Sequence, residues 1–561
     1  MDTKQSKKRI GEILIESELI TKEQLDTVLE VQKKEKKRVG ELVVELGYVT
    51  ETQLIKVLEY IFHIQYIDLG TATIERNVLA LVPESMALKH KLIPVGRENN
   101  VLTIAMVDPL DFYAIEDIQM VTGLEIKTGI STKAEISTAI DRHYGHESAE
   151  KAVEELKKEY SLSDLSTLAE LSENEVSNAP VVRLVNSIIT HAIKAGASDI
   201  HIEPGKKDFC VRFRVDGDLA EVMRSGMAAH SAIVTRIKII GRMDIAEKRI
   251  PQDGRVEINL DGKDIDLRLS VLPTVYGEKV VMRVLGYQSQ ALAIDQLGFT
   301  PENLELFNKI IGSPNGVILV SGPTGSGKTT TLYTVLRELN RPTVNIITVE
   351  DPVEYKIEGI SQVQVNAKAD LTFANGLRSI LRQDPDIIMI GEIRDAETAE
   401  IAVRASITGH LVLSTIHTND SASSVARLID MGVEPFLVSS SVVGVVAQRL
   451  VKCICPRCKT AYRPDHTELM LLKLTEAVQL YKGAGCPACN FTGYQKRMAI
   501  HEVFVVTKEI RELIDRRAST DQLRQMAARF GTKTLRDNCA KLVADGLTTT
   551  AELARVTYSI D

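Results

Sequence analysis

At 561 residues the chain is too long for a single hydrophobic core and predicts roughly three or four domains. Its 44% hydrophobic and 26% charged residues are those of a soluble globular protein, and no apolar run approaches the roughly 20 residues that span a bilayer. The net charge of −8 argues against a general nucleic-acid binder, and the charged N-terminus has no signal-peptide core, so a cytoplasmic protein is expected.

The first segment contains a repeat. Arg9-Ile10-Gly11-Glu12 recurs 29 residues later as Arg38-Val39-Gly40-Glu41, and the register holds through Ile20-Thr21 with Val49-Thr50, Gln24-Leu25 with Gln53-Leu54, and Val28-Leu29 with Val57-Leu58. One small unit is used twice. Leu25, Val28 and Leu29 have helical spacing and Thr21 sits at an N-cap position, so each unit predicts a pair of short helices. Residues 65–145 turn to mixed α/β, with a strand at Val101–Val107 and a helix at Asp111–Val121. Together these make an N-terminal domain over 1–145. Residues 146–179, rich in Glu, Lys, Ser and Asn, read as a solvated helix and linker.

A second α/β domain is expected over 180–290. From Phe209 to Val215 the odd positions are apolar and the even ones are Cys210, Arg212 and Arg214, the pattern of a half-buried strand with both arginines opposite the core. Ile265–Val271 alternates likewise and turns Arg268 outward. From 291 to 561 the strands are continuous apolar runs between helical patterns: Val317–Val320, Ile346–Val349, Ile387–Ile390 and Leu411–Leu413. That pattern predicts a mostly parallel sheet buried on both faces. A cysteine-bearing insert occupies about 450–500, and a helical tail follows.

The chemistry begins after Val317–Val320. Gly322-Pro323-Thr324-Gly325-Ser326-Gly327-Lys328-Thr329-Thr330 lies between a strand and a helix, the order a phosphate-binding loop requires. Its glycines let backbone N–H groups surround phosphate oxygens, and the helix start adds positive potential. Lys328 is placed for the β- and γ-phosphates of ATP and the Thr329 hydroxyl for Mg²⁺. Hydrolysis also needs a carboxylate to orient water. Glu350 ends one strand and Glu392 follows another, where a Gly stands in place of the Asp expected near the metal, so the two compete for the role. His410 and His417 flank Leu411–Ser414; a histidine there could sense the γ-phosphate or be structural.

Cys455-x-x-Cys458 and Cys486-x-x-Cys489, separated by 27 residues, are two knuckles suited to a closed tetrahedral Zn²⁺ site; Cys453 is an extra candidate, and a redox pair or idle thiols are the other readings.

The phosphate loop, together with "RIPQDGR" at 249–255, "TVEDPVEY" at 348–355, "LRQDPDIIMIGEIRD" at 381–395 and "TGHLVLSTIHTND" at 408–420, resembles the secretion ATPases of type II secretion and type IV pilus assembly, over essentially the whole chain. The resemblance implies a RecA-like ATPase core with a zinc-binding insert, a PAS-like α/β domain before it, and an N-terminal helical-repeat domain. It implies a homohexamer that works with the inner-membrane assembly platform and a cytoplasmic-domain anchor protein, attached to the inner membrane through these partners and binding no nucleic acid. Arg212, Arg214 and Arg255 match the family's nucleotide-reaching arginines; by pattern alone the first two are a solvated strand face. The repeat resembles a domain that in some relatives binds cyclic di-GMP, with Arg9, Gly11, Arg38 and Gly40 at matching positions. It departs from that pattern at Glu18, where the second copy keeps Gly47, and at Ile61, where the first keeps Gln32; the competing reading is a docking domain for a membrane-anchored partner. The stretch 430–459 looks more like the type II branch than the pilus extension branch. A nucleic-acid translocase is the rival from another class.

Overall fold

The computed structural model describes residues 14–15, 17, 19–35, 39–62, 64–70, 72, 74–109, 111–140, 143–144, 180–260, 263–285, 292–474 and 478–558. The expected linker at 146–179 lies outside them. The chain forms two compact units: Met1–Val256 with Arg268–Arg283 and Cys486–Ala488, and Glu257–Leu267 with Val284–Gly485 and Cys489–Asp561.

In the first unit the repeat is visible in the backbone. Helices Lys22–Glu35 and Glu51–Phe62 begin with the same device 29 residues apart. Gln24 N–H donates to Thr21 Oγ1 while Thr21 N–H donates to Gln24 Oε1, and Gln53 and Thr50 do the same. Each such box satisfies two orphan N–H groups at a helix start. The core pairs the copies position by position: Leu14, Ile20 and Val28 with Val43, Val49 and Val57. A three-stranded sheet follows, β1 (Leu92–Glu98), β2 (Val101–Met106) and β3 (Glu125–Ile130), with β1 antiparallel and β3 parallel to β2. The crossover helix Phe112–Thr122 starts on Asp111, whose carboxylate accepts from Ala114 N–H, and ends at the left-handed Gly123.

The six-stranded sheet comes next: β4 (Asp199–Pro204), β5 (Asp208–Val215), β6 (Asp218–Gly226), β7 (Gln252–Leu260), β8 (Lys263–Thr274) and β9 (Gly277–Leu285), in the order β6-β5-β4-β9-β8-β7. On β5 the alternation works as the sequence predicts. Phe209, Val211 and Phe213 are buried, and Arg212 and Arg214 lie on the other face, each about one third exposed.

The second unit is built on a seven-stranded sheet. Its strands are β10 (Gly316–Ser321), β11 (Ile346–Glu350), β12 (Ser361–Gln364), β13 (Ile387–Ile390), β14 (Leu411–Ile416), β15 (Val442–Ile454) and, after the small β16 (Lys459–Tyr462) and β17 (Leu480–Gly483) pair, β18 (Tyr494–Val505). The order is β12-β11-β13-β14-β10-β15-β18, parallel except for β15 with β18. Every residue of β10, β11, β13 and β14 is buried. Along β10, Val317 and Leu319 enter the core under helices Phe373–Ile380 and Ala396–Ile407, while Ile318 and Val320 enter the core under Pro301–Ile311 and Lys328–Leu339. One difference from expectation concerns the insert. Residues 450–454 and 494–500 are not part of it but belong to β15 and β18 of the main sheet, so the cysteine module is smaller than the pattern suggested. Among the described residues no helix is long and apolar enough to cross a membrane.

Candidate functional site

Strand β10 delivers the glycine loop, and the helix Lys328–Leu339 starts directly after it. Gly322 and Gly327 have φ of 145° and 88°, which residues with side chains avoid. Space demands glycine as well: a Cβ on Gly322 would stand 2.5 Å from the Gln448 carbonyl oxygen, and one on Gly327 2.8 Å from Gln448 Nε2. Pro323, Thr324, Gly325, Thr329 and Thr330 face solvent, whereas Ser326 and Lys328 are buried. The Lys328 ammonium turns into the loop and donates to the carbonyls of Gly322 (2.9 Å) and Pro323 (3.1 Å). Burial pushes its pKa down to about 8; Glu392 opposes that fall and Arg449 adds to it. The buried Ser326 hydroxyl has no hydrogen-bond partner. A buried ammonium, an orphaned hydroxyl and a helix N-terminus around exposed backbone fit a polyphosphate, with the exposed Thr329 hydroxyl available to a magnesium ion beside it.

The two carboxylates occupy different settings. Glu350, last residue of β11, is 3% exposed. Both its oxygens are engaged: Oε2 accepts from the Tyr333 hydroxyl, and Oε1 accepts from Thr348 Oγ1 at 2.5 Å and Gln362 Nε2 at 3.2 Å. Burial first, and then the carboxylate, push the Tyr333 phenol well above its usual range. Glu392 follows β13 and lies near Lys328. Its Oε2 is 2.6 Å from Arg394 Nε and 3.6 Å from His417 Nε2. Burial, and then the Lys328 charge, lower the His417 pKa, so this imidazole is neutral at neutral pH. The glycine in the expected Asp position has a spatial reason, since a Cβ on Gly391 would be 3.3 Å from Glu350 Cα and 3.4 Å from Val349 O.

The structure separates the two histidines. His417 follows the carboxyl end of β14 and joins Glu392, where strand ends gather ligand groups. His410 precedes the amino end of the same strand. Its Nδ1 lies 2.8 Å from Ala405 O and its carbonyl accepts from Gly316 N–H, so it buttresses the amino ends of β14 and β10, away from the site.

The arginines read from the pattern sit in ion pairs on their own sheet. Arg212 Nη2 is 2.5 Å from Glu203 Oε2, while Lys279 pairs with Oε1 of the same carboxylate, and Arg214 Nε is 3.9 Å from Asp199 Oδ2, while Arg283 pairs with its Oδ1. Arg255 is exposed on β7. Of the N-terminal residues, Arg9, Gly11 and Arg38 lie outside the described residues, and Gly40 is in the helix Val39–Glu45, with Leu54 in contact with the space a Cβ would fill.

Cys455, Cys458, Cys486 and Cys489 converge, all four sulfurs lying within 4.8 Å of one another. Cys458 and Cys489 sulfurs are 3.8 Å apart, the edge of a tetrahedron with Zn–S bonds of about 2.3 Å. Gly493 N–H donates to Cys489 Sγ, the type of bond that steadies a thiolate ligand. The donor set therefore fits zinc. Cys453, on β15, stands outside this group.

Two residues of the site escaped the sequence reading. Gln448, 2% exposed on β15, accepts from Thr331 Oγ1 (2.7 Å) and donates to Ser326 O (2.8 Å), stapling the loop to its helix. Arg449 beside it is also buried. The available signal was a polar pair inside the otherwise apolar run Val442–Val451.

Residues 174–555 match the family model for type II/IV secretion system protein, and residues 62–150 that for the MshEN domain. The type IV pilus assembly ATPase PilB of Myxococcus xanthus is 44% identical over 557 residues, covering 97% of this chain and 98% of that protein. The type II secretion system ATPase E of Vibrio cholerae is 44% identical over 494 residues, covering 86% and 98%. The X-ray structure of the ATPase DotB of Legionella pneumophila superposes with a TM-score of 0.51 at 19% identity, covering 66% of this chain and 95% of that one, a likeness of fold.

Proposed function

The chain belongs to the type II/IV secretion system protein family and is a secretion or pilus assembly ATPase, and we propose that within this family it is the motor of a type II secretion system, hydrolysing ATP to drive pseudopilus assembly. The observation that carries the ATPase chemistry is the convergence of Lys328, Glu392 and His417 at the carboxyl ends of β10, β13 and β14. In this reading the loop Gly322–Gly327 and Lys328 grip the phosphates of the substrate, with Thr330 at the edge of the grip. The Thr329 hydroxyl would hold Mg²⁺, which when bound would supply charge neutralisation at the phosphates. Glu392 orients the attacking water, and the neutral His417 donates to that carboxylate or to the γ-phosphate. Glu350 fixes the end of β11 through its buried hydrogen bonds.

In the same reading Arg212, Arg214 and Arg255 are the charge-stabilising fingers of a homohexamer, and the sheet that carries them is the PAS-like domain. The four cysteines hold a structural zinc. The N-terminal domain docks on a membrane-anchored partner, which keeps the cytoplasmic motor at the inner-membrane platform; cyclic di-GMP binding there is the alternative the resemblance carries.

Steady-state ATPase activity of the sized protein, with Lys328→Ala as control and with and without DNA, tests the motor. Mg²⁺-dependent turnover in a hexamer, lost in the variant and indifferent to DNA, is the expected result; turnover that rises strongly with DNA would move a translocase to first place. The branch rests on the stretch 430–459. A pilus extension ATPase is the second reading, because the pilus relative matches 97% of the chain and the secretion relative 86%. Loss of secreted hydrolases with twitching intact in a deletion strain is expected, and the reverse phenotype would assign the pilus.

A further inference from the structure

We propose that Arg449 is a positioning residue for ATP binding: a fixed positive charge walled in behind the phosphate loop, acting on the substrate phosphates through the loop backbone and Lys328. Strand β15 runs parallel to β10, pairing Val320 with Val446 and Ser321 with Ala447, so residues 448 and 449 continue alongside the loop that leaves β10. Arg449 is 6% exposed. Its Nη1 donates to Gln448 O at 3.1 Å and its Nη2 to Asn419 O at 3.0 Å, while Nε has no hydrogen-bond partner. Nη1 would lie 3.2 Å from a Cβ on Gly322, which puts the guanidinium directly against the loop backbone.

What is unusual is the missing anion. Among the described residues no carboxylate lies within 4.0 Å of this guanidinium; Asp420 and Glu502 act on it only at longer range. Asp420 is committed to Arg524 at 2.8 Å, and the Glu502 carboxylate to the N–H groups of Ser421 and Leu535. A buried cation bonded only to carbonyls is a net liability to the folded chain, because its desolvation is not repaid by a paired charge. A fold carries such a liability where an anion from outside repays it, and the exposed face of the loop at Pro323, Thr324 and Gly325 is where a polyphosphate would lie. The effect of Arg449 on Lys328 points the same way, since both charges are held close before any anion arrives.

A bracing role would have the opposite effect on the free protein. A brace stabilises the free protein, whereas an uncompensated buried charge destabilises it. Arg449→Met keeps the length and apolar bulk and removes the charge; Arg449→Lys keeps the charge and loses the fork. We expect Arg449→Met to weaken ATP binding roughly tenfold, about 1.4 kcal/mol, with a smaller loss for the less charged ADP, while the nucleotide-free melting temperature stays level or rises. Arg449→Lys should recover most of the affinity. Fluorescent-nucleotide titration and thermal melting of the full chain, with Lys328→Ala alongside, read both quantities. Unchanged ATP affinity in Arg449→Met would overturn the proposal. So would a lowered nucleotide-free melting point, or failure to fold, because either would make Arg449 a brace. If the wild-type chain itself bound no ATP, the motor reading would fail first.

Discussion

Glutamine substitution of the two glutamates should have opposite consequences. Glu392→Gln removes a charge from a group that, among the described residues, pairs with Arg394 and His417 and stands near Lys328. Neither neighbour depends on it for folding, since Arg394 is largely exposed and His417 half exposed. The loss should fall on turnover, by about 10²–10⁴-fold if Glu392 orients the water, with ATP affinity kept or raised. Glu350→Gln presents one oxygen and one NH₂ to three donors: Tyr333, Thr348 and Gln362. The amide can face Tyr333, whose oxygen already accepts from Glu354 N–H at 3.2 Å, but the phenol proton is then left without its acceptor. One charge-assisted bond lost and one buried donor stranded amount to about 2–4 kcal/mol. In a domain of this size that is a melting shift of roughly 4–7 °C. Steady-state turnover, nucleotide titration and thermal melting of both variants make the assay. A Glu350→Gln protein that melts like wild type but does not turn over, beside a Glu392→Gln protein with full turnover, would reverse the assignment.

Lys328 makes nucleotide binding pH-dependent. Its pKa in the nucleotide-free fold is about 8 against an ordinary 10.5, so the unfolded chain binds more protons between those values and stability rises with pH across that window. Phosphate needs the ammonium, so ATP affinity should fall above about pH 8 with uptake of a proton. Calorimetry in buffers of different ionisation enthalpy would detect that uptake, and its absence at pH 9 would show that Lys328 is charged before ATP arrives. Elemental analysis should find one zinc per chain. Cys458→Ser should lose the metal and melt lower, and Cys453→Ser should keep it; zinc retained by the first or lost by the second would break the four-cysteine assignment. In the N-terminal repeat, Glu18 places a carboxylate where the second copy has Gly47, which would repel a dianionic nucleotide. Titration of the full chain with cyclic di-GMP should show no saturation up to high micromolar concentration, and tighter binding would replace docking with nucleotide sensing.

The parts that were legible in the sequence were those whose physics is local. The 29-residue repeat announced itself through Arg9-Ile10-Gly11-Glu12 and Arg38-Val39-Gly40-Glu41, and Thr21 caps its helix through a residue three positions on, a device the structure repeats at Thr50. The alternation of β5 and the unbroken apolar runs of β10, β11, β13 and β14 record burial on one face or two. The cysteine knuckles and the phosphate loop have their spacing written into the chain. What stayed hidden depends on partners far away in sequence. His410 and His417 were read together as flanks of one strand; the parallel sheet puts His417 at the carboxyl end, where ligand groups gather, and His410 at the other. Glu350 and Glu392 looked like rivals because the donors that occupy Glu350 come from residues 333, 348 and 362.

The same cause hid Gln448 and Arg449. In sequence they are two polar residues in an apolar strand, more than 100 positions from the loop they adjoin. In the fold, the β10–β15 register brings Gln448 against Ser326 and Thr331, and Arg449 against Gly322. The glycines of the phosphate loop are therefore constrained twice, once by a backbone conformation visible in their spacing and once by a side chain and a carbonyl that only the folded sheet supplies. A loop held from behind in this way has its shape fixed before substrate arrives. That preorganisation turns a glycine-rich turn into a phosphate receptor.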